Sequence, residues 1–383
     1  MRWLSLILLA ISALQWEHLP EPLQSLFPGD FAATIANIER SSTQRLEEGE
    51  WEHLIYYVLQ SNAFTDRPPI EPAQSARRWH EAGGKSVPAA VTARRDAFLS
   101  TNVQGNPRID ALRKLQPTAE RFNREYHRVM AFLYEKEFAS NSDQGQQRRD
   151  RIAQLYQTRG HSSDSSVDAH YAVDVALGVL REIRPDTHYN DILIAGPGLD
   201  FAPRTGLDER APPQSYQPYL TARSLLRHNL ANKARLRVHC IDLNPRVVAF
   251  FDRHPKQLTL RYQPEEPAHE AFFQHFGPTL APDTTVTAET LNLLTGAVKD
   301  RQFDLIVATN ILLYFDDTEL ALAMTNLSRM LKRPGGILLH NDLRGAIDTY
   351  ARALNLPIVH ARMVRLSTER NLHDAIVLHE ARD

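Results

Sequence analysis

Three features of the sequence predict an α/β fold, a doubly wound and mostly parallel sheet preceded by a helical domain. After residue 190, short aliphatic runs ("DILIA", "LRVHCI", "TVTAE", "FDLIVAT", "GGILLHN", "PIVHARMV", "DAIVLHEA") recur, most of them separated by helical stretches such as "QPYLTARSLLRHNLANKA" and "DTELALAMTNLSRMLK". Continuous aliphatic strands between helices are what a sheet covered on both faces requires. Ahead of them, residues 30–157 place apolar side chains at three- and four-residue spacing with charges between, and hold no convincing strand. Finally, the polar stretches "SNSDQGQQRRDR" and "TRGHSSDSSVD" separate the two patterns. The expected division is an apolar N-terminal segment over 1–29, a helical domain over 30–157 and an α/β domain over 158–383.

Composition narrows the function. A chain of 383 residues, 43% hydrophobic and 23% charged, suits two well-buried globular units. With 44 basic against 46 acidic residues there is no electrostatic case for a nucleic-acid partner. Cys240 is the lone cysteine, so no internal disulfide forms, and its place in an aliphatic run reads as a buried strand thiol. The sixteen histidines lack the paired helical spacing or cysteine partners of a zinc site, and no metal is expected. His340, His360 and His379 read as edge or core residues.

In chain order, "MRWLSLILLAISALQW" carries one early charge, Arg2, and small residues at Ser12 and Ala13. It reads as a signal-like or membrane-tethering segment, or as a buried or partner-docking helix, and is too short to span a bilayer comfortably. "FAATIANIERSSTQRLEEGEWEHLIYYVLQS" and "TAERFNREYHRVMAFLYEKEF" are helices, and "DRPPIEP" and "EAGGKSVP" are loops. The "GGKS" within the second is no phosphate loop, because Trp79 stands where the first glycine belongs and no strand precedes it. The stretch around His161 is either a solvated linker or a segment folded over a ligand of the second domain.

In a doubly wound sheet ligands lie beyond the carboxyl ends of the strands, so the loops there carry the chemistry. "DILIA" runs into Gly196-Pro197-Gly198, where bare backbone admits a ligand, and Asp200 offers an acceptor. "LRVHCI" ends at Asp242, a carboxylate able to grip both hydroxyls of a ribose, and Asn244-Pro245 then opens a helix. Asn292 follows "TVTAE" and Asn310 follows "FDLIVAT", with Tyr314 four residues on. Tyr314 and Phe315 serve equally well as core packing. Asn310 and Tyr314 are the candidates for a catalytic role.

These residues, with "LKRPGG" before "ILLHND", resemble the class I S-adenosylmethionine-dependent methyltransferases, whose fold is Rossmann-like. "LNLL", "FDLIVATNILLYFDD" and "LKRPGGILL" are most similar to the chemotaxis-receptor glutamate methyltransferases, which also place a helical domain first. The resemblance implies S-adenosyl-L-methionine as cofactor. Gly196 and Gly198 would lie against its methionine part, Asp200 near its amino group, Asp242 on the ribose, Asn292 and Leu293 by the adenine, and Asn310 and Ile311 beside it. It leaves the methyl acceptor, protein or small molecule, unidentified, and favours the cytoplasm, where the cofactor is made. Two departures stand out. Thr309 occupies the place of the arginine that precedes this asparagine in the receptor enzymes, and Gly198 lies 44 positions before Asp242, about twice the usual separation. The inserted "APRTGLDERAPPQSYQP" is expected as a lid or substrate wall. The alternatives are a nucleotide-binding or regulatory protein without turnover, and an NAD(P)-dependent oxidoreductase, which should show a third glycine opening a helix.

Overall fold

The fold was established from a computed structural model, which describes residues 11–139, 145–165, 169–201, 209, 211–255, 257–259, 267–276, 279–280, 284–367 and 372–383. The chain enters through β1 (Ile11–Ala13) and α1 (Glu21–Gln24) and then forms the helices α2 (Phe31–Gln60), α3 (Pro72–Glu81), α4 (Ala89–Ser100), α5 (Pro107–Arg113), α6 (Ala119–Glu137) and α7 (Gly145–Gln157). From α8 (Ala169–Ile183) onward strands appear: β2 (Asp191–Ala195), α9 (Gln217–Arg227), β3 (Arg237–Asp242), α10 (Pro245–Asp252), β4 (Leu258–Thr259), α11 (Pro267–Phe276), β5 (Thr279–Leu280), β6 (Val286–Thr290) and β7 (Gly296–Val298). The chain ends with β8 (Leu305–Ala308), α12 (Asp317–Met330), β9 (Ile337–His340), α13 (Gly345–Ala353), β10 (Ile358–Ser367) and β11 (Leu372–Glu380).

Seven strands form one sheet in the order β10-β11-β9-β8-β2-β3-β6. All pairings from β9 to β6 are parallel, and β11 is antiparallel to both of its neighbours. The chain starts in the middle at β2, builds outward to β6, then returns to the other side through β8, which makes the sheet doubly wound and Rossmann-like. Side chains alternate across it as the pleat demands. Ile192 and Ile194 join a core with α8, α9 and α10, while Leu193 and Ala195 join the opposite core with α12 and α13. Every strand expected from its aliphatic run is present; the short antiparallel pair β4/β5, which brackets α11, and strand β7 had no such signature. His340 and His379 are fully buried, and their Nε2 atoms lie 2.9 Å apart.

A third core, around Trp51, Leu54, Tyr57, Phe98, Tyr126 and Met130, belongs to α2–α6 alone. The long α2 links it to the sheet domain. Asp30 caps its start by accepting from the N–H groups of Ala32 (2.9 Å) and Ala33 (3.2 Å). Ile38 near that start packs into the α12/α13 core, whereas Trp51 to Leu59 fill the helical one.

Over residues 11–27 the N-terminal segment is buried, as one of its readings had it, but as a strand and short helices, not as one docking helix. Ile11–Ala13 pairs antiparallel with Gly296–Val298, and Leu14, Leu19, Leu23 and Phe27 are buried in the core under α12 and α13. The apolar run fills that core over residues 11–27; residues 1–10, which hold the rest of it, lie outside the described residues. Among the described residues no helix is long and apolar enough to cross a membrane. Leu23, 2% exposed, therefore tests the docking. Leu23→Ala should cost about 2–4 kcal/mol in a denaturant titration, and a loss below about 0.5 kcal/mol, the scale of a surface change, would show the segment to be dispensable.

Candidate functional site

Because β2 is flanked by β3 on one side and β8 on the other, the loops leaving the strands part at this point and open a cleft. A cavity of ≈ 610 Å³ fills it. Its floor is made by the strand ends, Gly196 to Gly198, Asp242 and Leu243, Leu291 to Leu293, and Thr309 to Ile311; its roof by Tyr56, Gln60, Lys136, Tyr156 and Arg159 of the helical part; and one wall by the strap 161–165.

The glycine loop has a reason for its glycines. Gly196 and Gly198 have φ of 68° and 63°, in the left-handed region. A Cβ on Gly196 would come within 2.5 Å of Ile311 Cγ2, and one on Gly198 within 2.6 Å of the Ser163 carbonyl and 2.9 Å of Ser165 Cβ. The bare backbone thus admits the chain itself, holding Ile311 and the strap against the loop. The strap is locked there. Leu199 N–H donates to Ser163 O (2.7 Å), Ser165 N–H to Leu199 O (2.9 Å), and Asn244 Nδ2 to Ser163 Oγ (2.7 Å). Of the two readings of the polar stretch around His161, the covering segment is the one observed.

Asp242 is the electrostatic centre. Its carboxylate accepts from Asn244 N–H (2.8 Å) and, more weakly, from Gly198 N–H (3.4 Å). Among the described residues no cation pairs with it. Burial pushes its pKa up to about 7, against the lowering effect of those two bonds. Asn244 caps α10 through Arg246 N–H (2.9 Å), as its position before Pro245 predicted.

Asp200 corrects the sequence reading. It does not line the cavity but lies buried at 1% exposure, where Arg108 Nη2 (3.1 Å), Gln214 N–H (2.6 Å) and Tyr216 Oη (2.8 Å) take up its carboxylate. Arg108 belongs to α5 and also donates to the carbonyls of Asp200 and Phe201, so this acid fastens the helical part to the loop after β2. Asn292 does line the cavity, yet its Oδ1 accepts from Leu294 N–H (3.1 Å) and its Nδ2 donates to Glu39 (3.2 Å). The amide expected to read a ligand edge is engaged in the turn and in α2. The inserted loop after Phe201 lies largely outside the described residues, although Gln214 to Gln217 are buried at its end.

Leu293, Asn310, Ile311 and Tyr314 line the cavity with Gly196, Gly198 and Asp242. Tyr314 meets Tyr156 edge-on with ring centroids 5.4 Å apart, and burial raises its hydroxyl to about 12, so it remains a neutral phenol. Tyr56 is likewise pushed up by burial. Arg159 pairs with Glu52 (2.6 Å), stacks over Phe132 at 4.4 Å and reaches Tyr314 Oη at 3.5 Å. His161 falls to about 3 through burial and the nearby Arg45, leaving a neutral imidazole. Arg45 clamps the corner, donating to the carbonyls of Arg159 (3.1 Å) and Tyr314 (2.7 Å) and pairing with Glu319 (3.1 Å). Sequence reasoning missed the roof residues Tyr56, Lys136, Tyr156 and Arg159, whose helical spacing signals only packing.

No family model matches the sequence, and no curated protein matches it. Solved structures with a similar fold include the N-methyltransferase NodS of Bradyrhizobium japonicum WM9, at 15% identity over 56% of this chain and 96% of that one, with a TM-score of 0.32. The magnesium protoporphyrin IX methyltransferase of Synechocystis PCC 6803 is 11% identical over 66% of this chain and 96% of that one, TM-score 0.33. A 1,6-didemethyltoxoflavin-N1-methyltransferase of Burkholderia thailandensis is 13% identical over 57% and 82%, TM-score 0.33. Scores of this size assign no residue, and the roles below rest on the geometry of the cavity.

The raised pKa of Asp242 has a direct consequence for stability. Its unfolded value is about 3.9, so the folded chain holds the proton more tightly and loses stability as pH rises from roughly 4 to 7, levelling off above. Asp242→Asn, which mimics the protonated acid, should melt higher than the parent at pH 8 and show a shrinking advantage as pH falls to 4. Equal melting temperatures at pH 8 would mean that the carboxylate is not desolvated.

Proposed function

We propose that the protein is an S-adenosylmethionine-dependent methyltransferase. The observation that carries this reading is Asp242, a half-buried carboxylate at the end of β3 that pairs with no cation among the described residues and faces a cavity built from four strand ends. An anion with only two backbone donors, one of them distant, keeps lone pairs free, and a vicinal diol supplies two further donors. The surroundings suit a nucleoside: Leu243, Leu291 and Leu293 give an apolar slot beside Asp242, and the loop Gly196 to Gly198 continues away from it. Asp242 would hold the ribose, Leu291 and Leu293 would flank the base, and the glycine loop with Ile311 would face the amino-acid end. When bound, the cofactor supplies an electrophilic methyl group for transfer to a nucleophile.

The chain's own residues position and enclose. Strap and roof cover part of the cavity, and orientation of two partners in such a space supplies much of the rate. A nicotinamide dinucleotide suits the site less well. Its pyrophosphate needs a helix N-terminus at the glycine loop, and among the described residues the first helix after β2 begins at Gln217. On the acceptor side, the place of the receptor enzymes' arginine is held by Thr309, whose hydroxyl accepts from Gln217 Nε2 at 2.9 Å. Recognition of an acceptor therefore falls to the roof, with Tyr56, Lys136, Tyr156 and Arg159.

S-adenosylhomocysteine should raise the melting temperature and NAD should not, because only a ligand that prefers the native state stabilises it. Asp242→Ala should weaken S-adenosylhomocysteine binding by about 1.5–3 kcal/mol, roughly 10- to 150-fold, the scale of hydrogen bonds to a charged group. Unchanged affinity in calorimetry would remove Asp242 from the site. Incubation with methyl-labelled cofactor, scoring protein against small-molecule label, then identifies the acceptor class.

A further inference from the structure

Asn310 sits where the strand-end floor of the cavity meets its aromatic end, between Thr309 and Tyr314, and its backbone is left-handed at φ 60°. That conformation is held by a paired contact with Asn341, in the loop after β9. Asn310 N–H donates to Asn341 Oδ1 (2.8 Å), and Asn341 Nδ2 donates back to Asn310 Oδ1 (2.7 Å). The second hydrogen on Asn341 Nδ2 goes to the carboxylate of Asp374 on β11, at 3.0 and 3.2 Å from its two oxygens. Neither Asn341 nor Asp374 lines the cavity, whereas Asn310 does.

The chemistry of this chain has only one direction. Burial pushes Asp374 up to about 6, so above that pH it is ionised, accepts without donating, and compels Asn341 to present its NH₂. Asn341 must then turn its oxygen to the Asn310 backbone and its remaining hydrogen to Asn310 Oδ1. With its oxygen consumed, Asn310 has its Nδ2 group left for the cavity. We propose that Asp374 and Asn341 are positioning residues that fix Asn310 as a hydrogen-bond donor toward the cavity, so that the acceptor group placed opposite it bears a lone pair and no proton there. A carbonyl, a carboxylate or an unprotonated ring nitrogen meets that condition. An ammonium or a hydroxyl presenting its hydrogen does not. The assignment of this preference to the methyl acceptor rests on the methyltransferase reading; the relay itself does not.

Inverting the relay tests it. Asn341→Asp alone sets two carboxylates against each other and should lower the melting temperature. Adding Asp374→Asn restores a donor, reverses the two side-chain bonds while the Asn310 N–H still donates to residue 341, and turns Asn310 Oδ1 to the cavity. The double variant should therefore recover most of the lost melting temperature. It should also shift its preference toward sinefungin, which presents an ammonium where the transferred methyl stands, over S-adenosylhomocysteine by about 2- to 10-fold relative to the parent, one exchanged hydrogen bond. A double variant that melts no higher than Asn341→Asp overturns the relay. A recovered melting temperature with an unchanged binding ratio overturns the donor role of Asn310. If neither analogue binds the parent, the cofactor reading falls, and the melting comparison still decides the relay.

Discussion

A half-buried carboxylate that pairs with no cation among the described residues organises this protein. Asp242 rests on two backbone N–H groups, one of them at 3.4 Å, and burial holds its pKa near 7. Such a group is a cost to the folded chain unless a ligand completes its hydrogen bonds. The elements around it limit its exposure to one face, the cavity. The β2 glycines let the strap and Ile311 close against the loop, Asn244 ties the strap to α10, and the helical part roofs the cavity.

The roof is fixed to the sheet domain by buried polar contacts as well as by apolar packing. Arg108 grips Asp200, Glu50 receives Asn244 Nδ2 at 2.8 Å and pairs with Arg246, and Arg45 joins α2 to the loop after β8. Buried ion pairs of this kind add little net stability against apolar substitutes, but removing one partner strands the other. Their geometric demand sets one register between roof and floor. That makes the helical part a fixed wall of the cavity, with Tyr56, Tyr156 and Arg159 held at set positions above the strand ends.

Much of this was legible in the sequence, for physical reasons that also explain the failures. Parallel strands covered on both faces must be aliphatic, so "DILIA" and "FDLIVAT" announced themselves, and the order of their loops placed Gly196, Asp242 and Asn310 around one cleft. Asp200 was misplaced because its partner Arg108 lies 92 positions away, and nothing local distinguishes an acid aimed at a ligand from one aimed at a buried guanidinium. The readings of Ile11–Phe27 stayed open because an apolar run looks alike whether it crosses a membrane, is cleaved or fills a core; its pairing with Gly296–Val298 is wholly non-local. The strap 161–165 is polar because its serines and backbone bond to Leu199, Asn244 and His53, a composition that reads equally as a solvated linker.

The central claim is that Asp242 waits for donors. Calorimetric titration of S-adenosylhomocysteine into the full chain at about pH 6, in two buffers of different ionisation enthalpy, reads the protons exchanged on binding. Completion of the Asp242 hydrogen bonds by a diol lowers its pKa, so binding should release a proton fraction at that pH. Binding that exchanges no proton at pH 6, or takes one up, would contradict the account.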